Sequence, residues 1–200
     1  MSTTPCTPQE ALDELLAGNR RFLTGRRLHP NQDADRRAEL AHGQRPFAAV
    51  FGCSDSRLAA EIVFDRGLGD LFVVRSAGHI AGPEIVASLV YAVTVLKTPL
   101  IAVLGHDSCG AVGAAHSLSD IKHGDPALMP IIGRLAPVVA EARRSGVNSP
   151  DAVSELHVRR TVEHLRRHEA VVAAIDAGVC RVEGMFYHLA EGRVRVVDAP

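Results

Sequence analysis

Leu100-Ile101-Ala102-Val103-Leu104-Gly105-His106-Asp107-Ser108-Cys109 is the stretch whose reading decides the fold. It opens as a short apolar run without polar alternation, the pattern of a strand buried on both faces. It then gives way at once to residues that carry chemistry. Upstream, Pro46-Phe47-Ala48-Ala49-Val50-Phe51-Gly52 follows the same plan and ends in Cys53. Between the two lie a third run, Leu71-Phe72-Val73-Val74-Arg75, and a broadly apolar helical pattern over residues 84–97. Strands alternating with helices predict a parallel sheet covered on both sides. Ligands of such sheets bind in the crevice outside the carboxyl ends of the strands. Cys53, His106 and Cys109 are therefore expected to meet at one rim. Two thiols and an imidazole are a three-ligand set for catalytic zinc, with the fourth position left for water or substrate.

Working outward, Thr7-Pro8-Gln9-Glu10 carries a helix start, with Thr7 as N-cap, Pro8 at the first helical position and Glu10 completing a capping box. Leu12, Leu15, Leu16, Phe22 and Leu23 form its apolar stripe, and Gly25 is its stop. Residues 26–44 are charged and weakly periodic, and read as an extended or short-helical arm. After Cys109, Gly110-Ala111-Val112-Gly113 opens a helix whose first N–H groups face the candidate metal site, where they can meet anionic ligands. Asp125-Pro126 caps another helix, which Pro137 ends or kinks. Ser149-Pro150 starts a longer one that runs to Gly178. Residues 182–197 read as two strands joined at Glu191-Gly192. The fold class predicted is α/β: one domain over residues 1–200, with a helical N-terminal arm (1–45), a parallel β-sheet core flanked by helices (46–200), and an added C-terminal strand pair.

Composition bounds the function. The 200 residues are 46% hydrophobic and 22% charged, ordinary for a globular domain. A net charge of −1 leaves no electrostatic footprint for nucleic acid or an anionic membrane. No run has the length of a membrane span, and the first residues lack the pattern of a secretion signal. Four Cys do not make a disulfide framework at this size. Cys6 reads as a tail thiol and Cys180 as a packed small residue, and the expected compartment is the cytoplasm.

Cys53-Ser54-Asp55-Ser56-Arg57 and His106-Asp107-Ser108-Cys109-Gly110 match no structural zinc module, which would use paired C-x-x-C knuckles. Together with the segment from Glu61 to Arg75 (Glu61-Ile62-Val63-Phe64-Asp65-Arg66-Gly67-Leu68-Gly69-Asp70 and the run that follows) and Ser88-Leu89-Val90-Tyr91-Ala92-Val93, they resemble the β-class carbonic anhydrases over almost the whole chain. The resemblance implies an enzyme (carbonate dehydratase) that interconverts carbon dioxide and bicarbonate with one Zn2+ per chain. It also implies an obligate homodimer with the N-terminal helix packed on the partner, and leaves open whether dimers pair into a tetramer. Carried over by position, Cys53, His106 and Cys109 are the metal ligands, and Asp55 and Arg57 the family's dyad. Gln44 matches a side chain that contacts substrate across the dimer interface in some members. Phe72 and Tyr91 match the walls of the apolar pocket, and Gly110 follows the last ligand as in relatives. Ser76 and His79 stand where Asn is commoner. Val50 stands where some members carry the Trp of an inhibitory bicarbonate pocket.

In the chemistry so implied, zinc lowers the pKa of its water towards about 7. Zinc-bound hydroxide attacks carbon dioxide, assisted by the Asp55–Arg57 dyad. Asp55 either orients that hydroxide or ligates zinc and shuts the site, and a bidentate pair with Arg57 holds it off the metal. Three other readings compete: a non-catalytic zinc protein with Asp55 as permanent fourth ligand, a thiol redox protein using Cys53 and Cys109, and a carbon disulfide or carbonyl sulfide hydrolase on the same fold. Among ten His residues, His79 is the candidate proton shuttle at the rim. His157, His164 and His168 read as surface positions of a long helix.

Overall fold

A computed structural model describes Pro5, residues 7–118 and residues 126–197. Cys6 and Asp125, for which a tail thiol and a helix cap are expected, lie outside the described residues. The sheet has five strands: β1 (Ala48–Cys53), β2 (Leu71–Ser76), β3 (Leu100–His106), β4 (Arg181–His188) and β5 (Arg193–Val197). Their order is β2-β1-β3-β4-β5. All neighbours are parallel except the β4–β5 hairpin. The expected parallel core and the C-terminal strand pair are both present. β4 pairs with β3 along its whole length, from Leu100↔Arg181 to His106↔Tyr187, and completes the parallel sheet.

Every residue of β1 and β3 is buried, which is why their sequences show no alternation. Alternate side chains enter two clusters. Ala48, Val50, Leu100, Ala102 and Leu104 face one side. Ala49, Phe51, Ile101 and Val103 face the other. The first side is covered by α1 (Pro8–Leu23) and by α3 (Ala60–Val63), a single turn with no capping signal. α1 has the expected capping box between Thr7 and Glu10. It docks on its own chain through Ala11, Leu12 and Leu15. Buried Asn19 adds polar ties: its Nδ2 donates to the carbonyls of Val63 (3.2 Å) and Gly192 (2.9 Å), and its Oδ1 accepts from the Val194 N–H (2.9 Å). The arm that follows contains α2 (Ala34–Glu39) and a 3-10 turn at Leu40–His42.

The opposite face carries α4 (Pro83–Thr94), α7 (Pro150–Leu165) and α8 (Glu169–Asp176). The single long helix expected from residue 149 to Gly178 is thus two helices. Nothing in Arg166-Arg167-His168 breaks a helix by propensity. The cause is packing: Leu165 and Val171 both enter the same core cluster, yet six residues of continuous helix would set them about 120° apart. α5 (Gly110–Leu118) and α6 (Met129–Arg144) form a third cluster with Cys53 and Cys109. Pro137 lies inside α6 without ending it.

At Gly105, α7 approaches the sheet so closely that a Cβ would lie 2.4 Å from Cγ2 of Val158. Glycine at this position, one residue before His106, lets the helix rest directly on the end of β3.

Candidate metal centre

Cys53 is the last residue of β1 and His106 the last of β3, and Gly52 pairs with Leu104 across the two strands. Asp107 and Ser108 then turn the chain back, Ser108 in the left-handed region at φ 50°. Cys109 comes to lie beside Cys53, immediately before α5. The ligand atoms of Cys53, His106 and Cys109 all fall within 4.8 Å of one another, and all three residues are buried. The two Sγ atoms are 4.0 Å apart. Tetrahedral zinc with Zn–S bonds of about 2.3 Å sets its sulfurs about 3.8 Å apart, so the spacing fits. His106 Nδ1 lies 2.7 Å from the Asp107 carbonyl, which can only accept, so Nδ1 carries the proton. Nε2 is left with a free lone pair, and it is buried without a hydrogen-bond partner. This is the second interaction that sets the tautomer of a metal-ligating imidazole.

Charge makes the same case. The Cys109 thiol beside it, the His106 ring and the N–H groups of Asp55 and Gly78 pull the Cys53 thiol below its ordinary range, against burial. Cys109 is pushed up, by its bond to Cys53 and by burial. A dication held between them would neutralise both thiolates.

Asp55 and Arg57 form a bidentate pair beside this cluster. Arg57 Nε donates to Asp55 Oδ1 (2.9 Å) and Nη2 to Oδ2 (2.6 Å), and the Arg57 N–H adds a third bond to Oδ1 (2.9 Å). Nη2 also donates to the Ser108 carbonyl at 3.0 Å, joining the two ligand loops. The guanidinium holds the Asp55 carboxyl well below the usual carboxylate range. Arg75, which the sequence reading passed over, donates to the carbonyls of Cys53 (2.9 Å), Asp55 (2.6 Å) and Leu58 (3.0 Å). Its signal was an arginine near the end of an otherwise apolar strand.

The other expected site residues lie apart within one chain. Gln44 lines a cavity of about 490 Å³ with Arg37, Leu40, Ala41, Gly43, Leu68 and Gly69. Phe72 and Tyr91 pair with each other at 6.2 Å on the β2 edge. Phe72 is four residues before Ser76, the strand partner of Cys53, or about 13 Å down the strand. Gly110 begins α5, and a Cβ there would meet nothing within 4 Å.

Two histidines are corrected. His79 is not exposed at the rim: it follows Gly78, whose N–H reaches the Cys53 sulfur, but it is fully buried, both ring nitrogens lack partners, and burial drives its pKa well below the ordinary value. A group that stays neutral and has no hydrogen-bonded neighbour is no proton shuttle. His157 is not a surface residue: it is 7% exposed and stacks 4.3 Å from His79. His164 and His168 are exposed, as expected.

The family model for carbonic anhydrase matches residues 48–194. The chain belongs to the β-class carbonic anhydrases. It is 48% identical over 193 residues to a carbonic anhydrase of Mycolicibacterium smegmatis, covering 94% of this chain and 93% of that one. It is 46% identical over 199 residues to carbonic anhydrase 2 of Mycobacterium tuberculosis, covering 98% and 95%. Among solved structures, a tetrameric β-carbonic anhydrase of Sordaria macrospora superposes with a TM-score of 0.74 at 27% identity, covering 81% of this chain and 85% of that one. Zinc is the metal of β-class carbonic anhydrases, and the Cys53–His106–Cys109 group suits it in spacing, tautomer and charge. Among the described residues no helix is long and apolar enough to cross a membrane.

Proposed function

We propose that this β-carbonic anhydrase hydrates carbon dioxide reversibly to bicarbonate and a proton, with zinc held by Cys53, His106 and Cys109. The observation that carries the reading is the buried two-thiol, one-imidazole cluster with a bidentate Asp55–Arg57 pair beside it. Zinc, when bound, supplies the Lewis acid that makes hydroxide available from water near neutral pH. Asp55, being ionised, can only accept hydrogen bonds. A carboxylate offers about four lone-pair sites. Two on Oδ1 and one on Oδ2 are taken by Arg57. The remaining Oδ2 lone pair is available to one O–H donor, and a hydrogen bond accepted there would turn the attacking oxygen's lone pair towards carbon. Arg57 keeps the carboxylate in this role and off the metal, which speaks against Asp55 as a permanent ligand. Gly110 opens α5, whose first N–H groups suit the bicarbonate product.

The apolar wall comes from a second copy of the chain. Tyr91 and Val95, at the end of α4, are large apolar residues left exposed, and Phe72 lies with Tyr91 along the open β2 edge. A homodimer that covers this face places the partner's Gln44, Phe72 and Tyr91 at the metal centre, with pairing to a tetramer as a further step. Residues 1–200 act as one unit in that assembly. Unpaired Cys53, Cys109 and Cys180 suit the reducing cytoplasm. Stopped-flow hydration of carbon dioxide by the zinc-loaded chain tests the activity. Absence of turnover at any pH, with zinc at one per chain, sinks it.

A further inference from the structure

α7 lies across the ends of β3 and β4 with one polar row turned towards the ligand loops. Asp151, Ser154 and His157 recur at three-residue spacing, so each successive pair is adjacent on the helix surface and the row winds slowly round it. Each makes one hydrogen bond off the helix, and each to a different loop position. Asp151 Oδ1 accepts from the Ser108 N–H at 2.7 Å, between His106 and Cys109. Ser154 Oγ donates to the carbonyl of His106 itself at 2.9 Å. His157 Nε2 lies 3.1 Å from the Gly78 carbonyl and must be its donor. The N–H of the same Gly78 donates to Cys53 Sγ at 3.3 Å.

Packing alone does not ask for this row. Ser154 is fully buried and His157 nearly so, and a buried polar group is costly unless it is bonded. Neighbouring positions of α7 that face the core carry Val153, Val158, Val162 and Leu165. The row also fixes what the ligand side chains cannot fix for themselves. Ser154 holds the His106 peptide, to which the ring is locked through Asp107. Asp151 makes a charge-assisted bond to Ser108, the residue in left-handed conformation that returns the chain to Cys109. His157 holds the residue that donates to the Cys53 sulfur. We infer that Asp151, Ser154 and His157 are positioning residues that hold all three metal ligands in register, so that zinc affinity is set from α7, an element that supplies no ligand. The inference rests on the zinc reading above.

The test is extraction of zinc from the loaded full-length protein by a chromophoric chelator, together with the visible spectrum of the Co2+ form and the melting temperature after chelation. Asp151→Ala and Ser154→Ala are expected to weaken zinc binding about 10–100-fold and to shift the cobalt bands. Asp151→Asn keeps an acceptor and His157→Gln keeps a donor to Gly78, so both are expected to stay close to wild type. Asp151 is exposed in the first turn of its helix, so its variants fold even where a buried substitution does not. Variants that melt earlier but hold zinc and the cobalt spectrum as wild type does would overturn the inference. So would Asp151→Asn losing as much affinity as Asp151→Ala. A wild-type chain that takes up no zinc overturns this inference and the zinc reading together. Failure of carbon dioxide hydration alone leaves the zinc affinities to decide.

Discussion

Replacing Gly105 by alanine probes the seat of α7 on the sheet with a single methyl group. The added Cβ would lie 2.4 Å from Val158 Cγ2, and its next neighbours, Phe186 Cδ2 at 3.4 Å and His79 Cε1 at 3.5 Å, are tolerable. One contact therefore carries the clash. Val158 is β-branched, and in a helix such a side chain has one strongly preferred rotamer, so it cannot swing aside. Reaching a normal carbon–carbon separation of about 3.5–4.0 Å requires α7 to retreat by about 1 Å or more. Overpacking of this kind costs about 1–3 kcal/mol. For a chain of this size each kcal/mol lowers the melting temperature by about 2–4 °C. With the helix displaced along its polar row as well, we expect the upper end, a drop of about 6–12 °C in calorimetry. The same retreat stretches the Ser154–His106 bond from 2.9 Å towards a separation that is no longer a hydrogen bond. Val158→Ala removes the clashing methyl. The double variant should then be more stable than the sum of the two single effects, by about 2 kcal/mol. Strict additivity, or a Gly105→Ala protein that melts with wild type, refutes the close seating of α7 and with it the reason for glycine.

Arg57→Ala is expected to lower carbon dioxide hydration on the order of 100-fold while zinc content, read by atomic absorption, stays at one per chain; equal loss of both would refute the division of labour between dyad and ligands. His157 gives acid sensitivity to the fold. Burial lowers its pKa from 6.5 to about 4, so below pH 6.5 the unfolded chain takes up a proton that the folded chain refuses. Its contribution is intact above the unfolded value and falls away as pH drops towards 4, by about 3 kcal/mol in all. Urea midpoints at neutral and mildly acid pH should show this loss, and a His157→Gln protein that loses as much across the same range refutes it. Asn19→Ala strands two carbonyls and one N–H at the seam between α1 and the last hairpin, and is expected to cost about 3 kcal/mol or more in equilibrium unfolding. A cost below about 1 kcal/mol would mean that water replaces the side chain there.

The parts of this fold that were legible in the sequence are those where one local rule acts alone. β1 and β3 are buried on both faces, so their apolar runs needed no partner to be recognised. The start of α1 is written in four consecutive residues. The metal ligands sit at strand ends, where the direction of a parallel sheet alone makes them converge. What escaped depends on distant residues. β4 is legible as a strand, but Glu183 and Gly184 hide that it lies inside the sheet beside β3. Glu183 is tolerated because Arg181 pairs with it, and a Cβ on Gly184 would come within 3.0 Å of Val158. The break between α7 and α8 answers to where Leu165 and Val171 must be buried, which local propensity does not encode. His157 reads as a surface position until the loops above it are in place, and Ser154 carries no sequence signal of its own. Gln44, Phe72 and Tyr91 were found by resemblance, and a single chain gives them no metal to act on.

Asn19 bonds to residues 173 and 175 positions further along the chain. During synthesis, then, α1 is complete long before two of the three backbone groups that Asn19 bonds have been translated. Chains are made at about 5–20 residues per second, so the Asn19 amide waits roughly 9–35 s for the hairpin, while the apolar stripe of α1 already has β1, β3 and α3 to dock on. A message cut short before Gly192 yields a polypeptide with all three metal ligands encoded and the Asn19 amide short of two of its three partners.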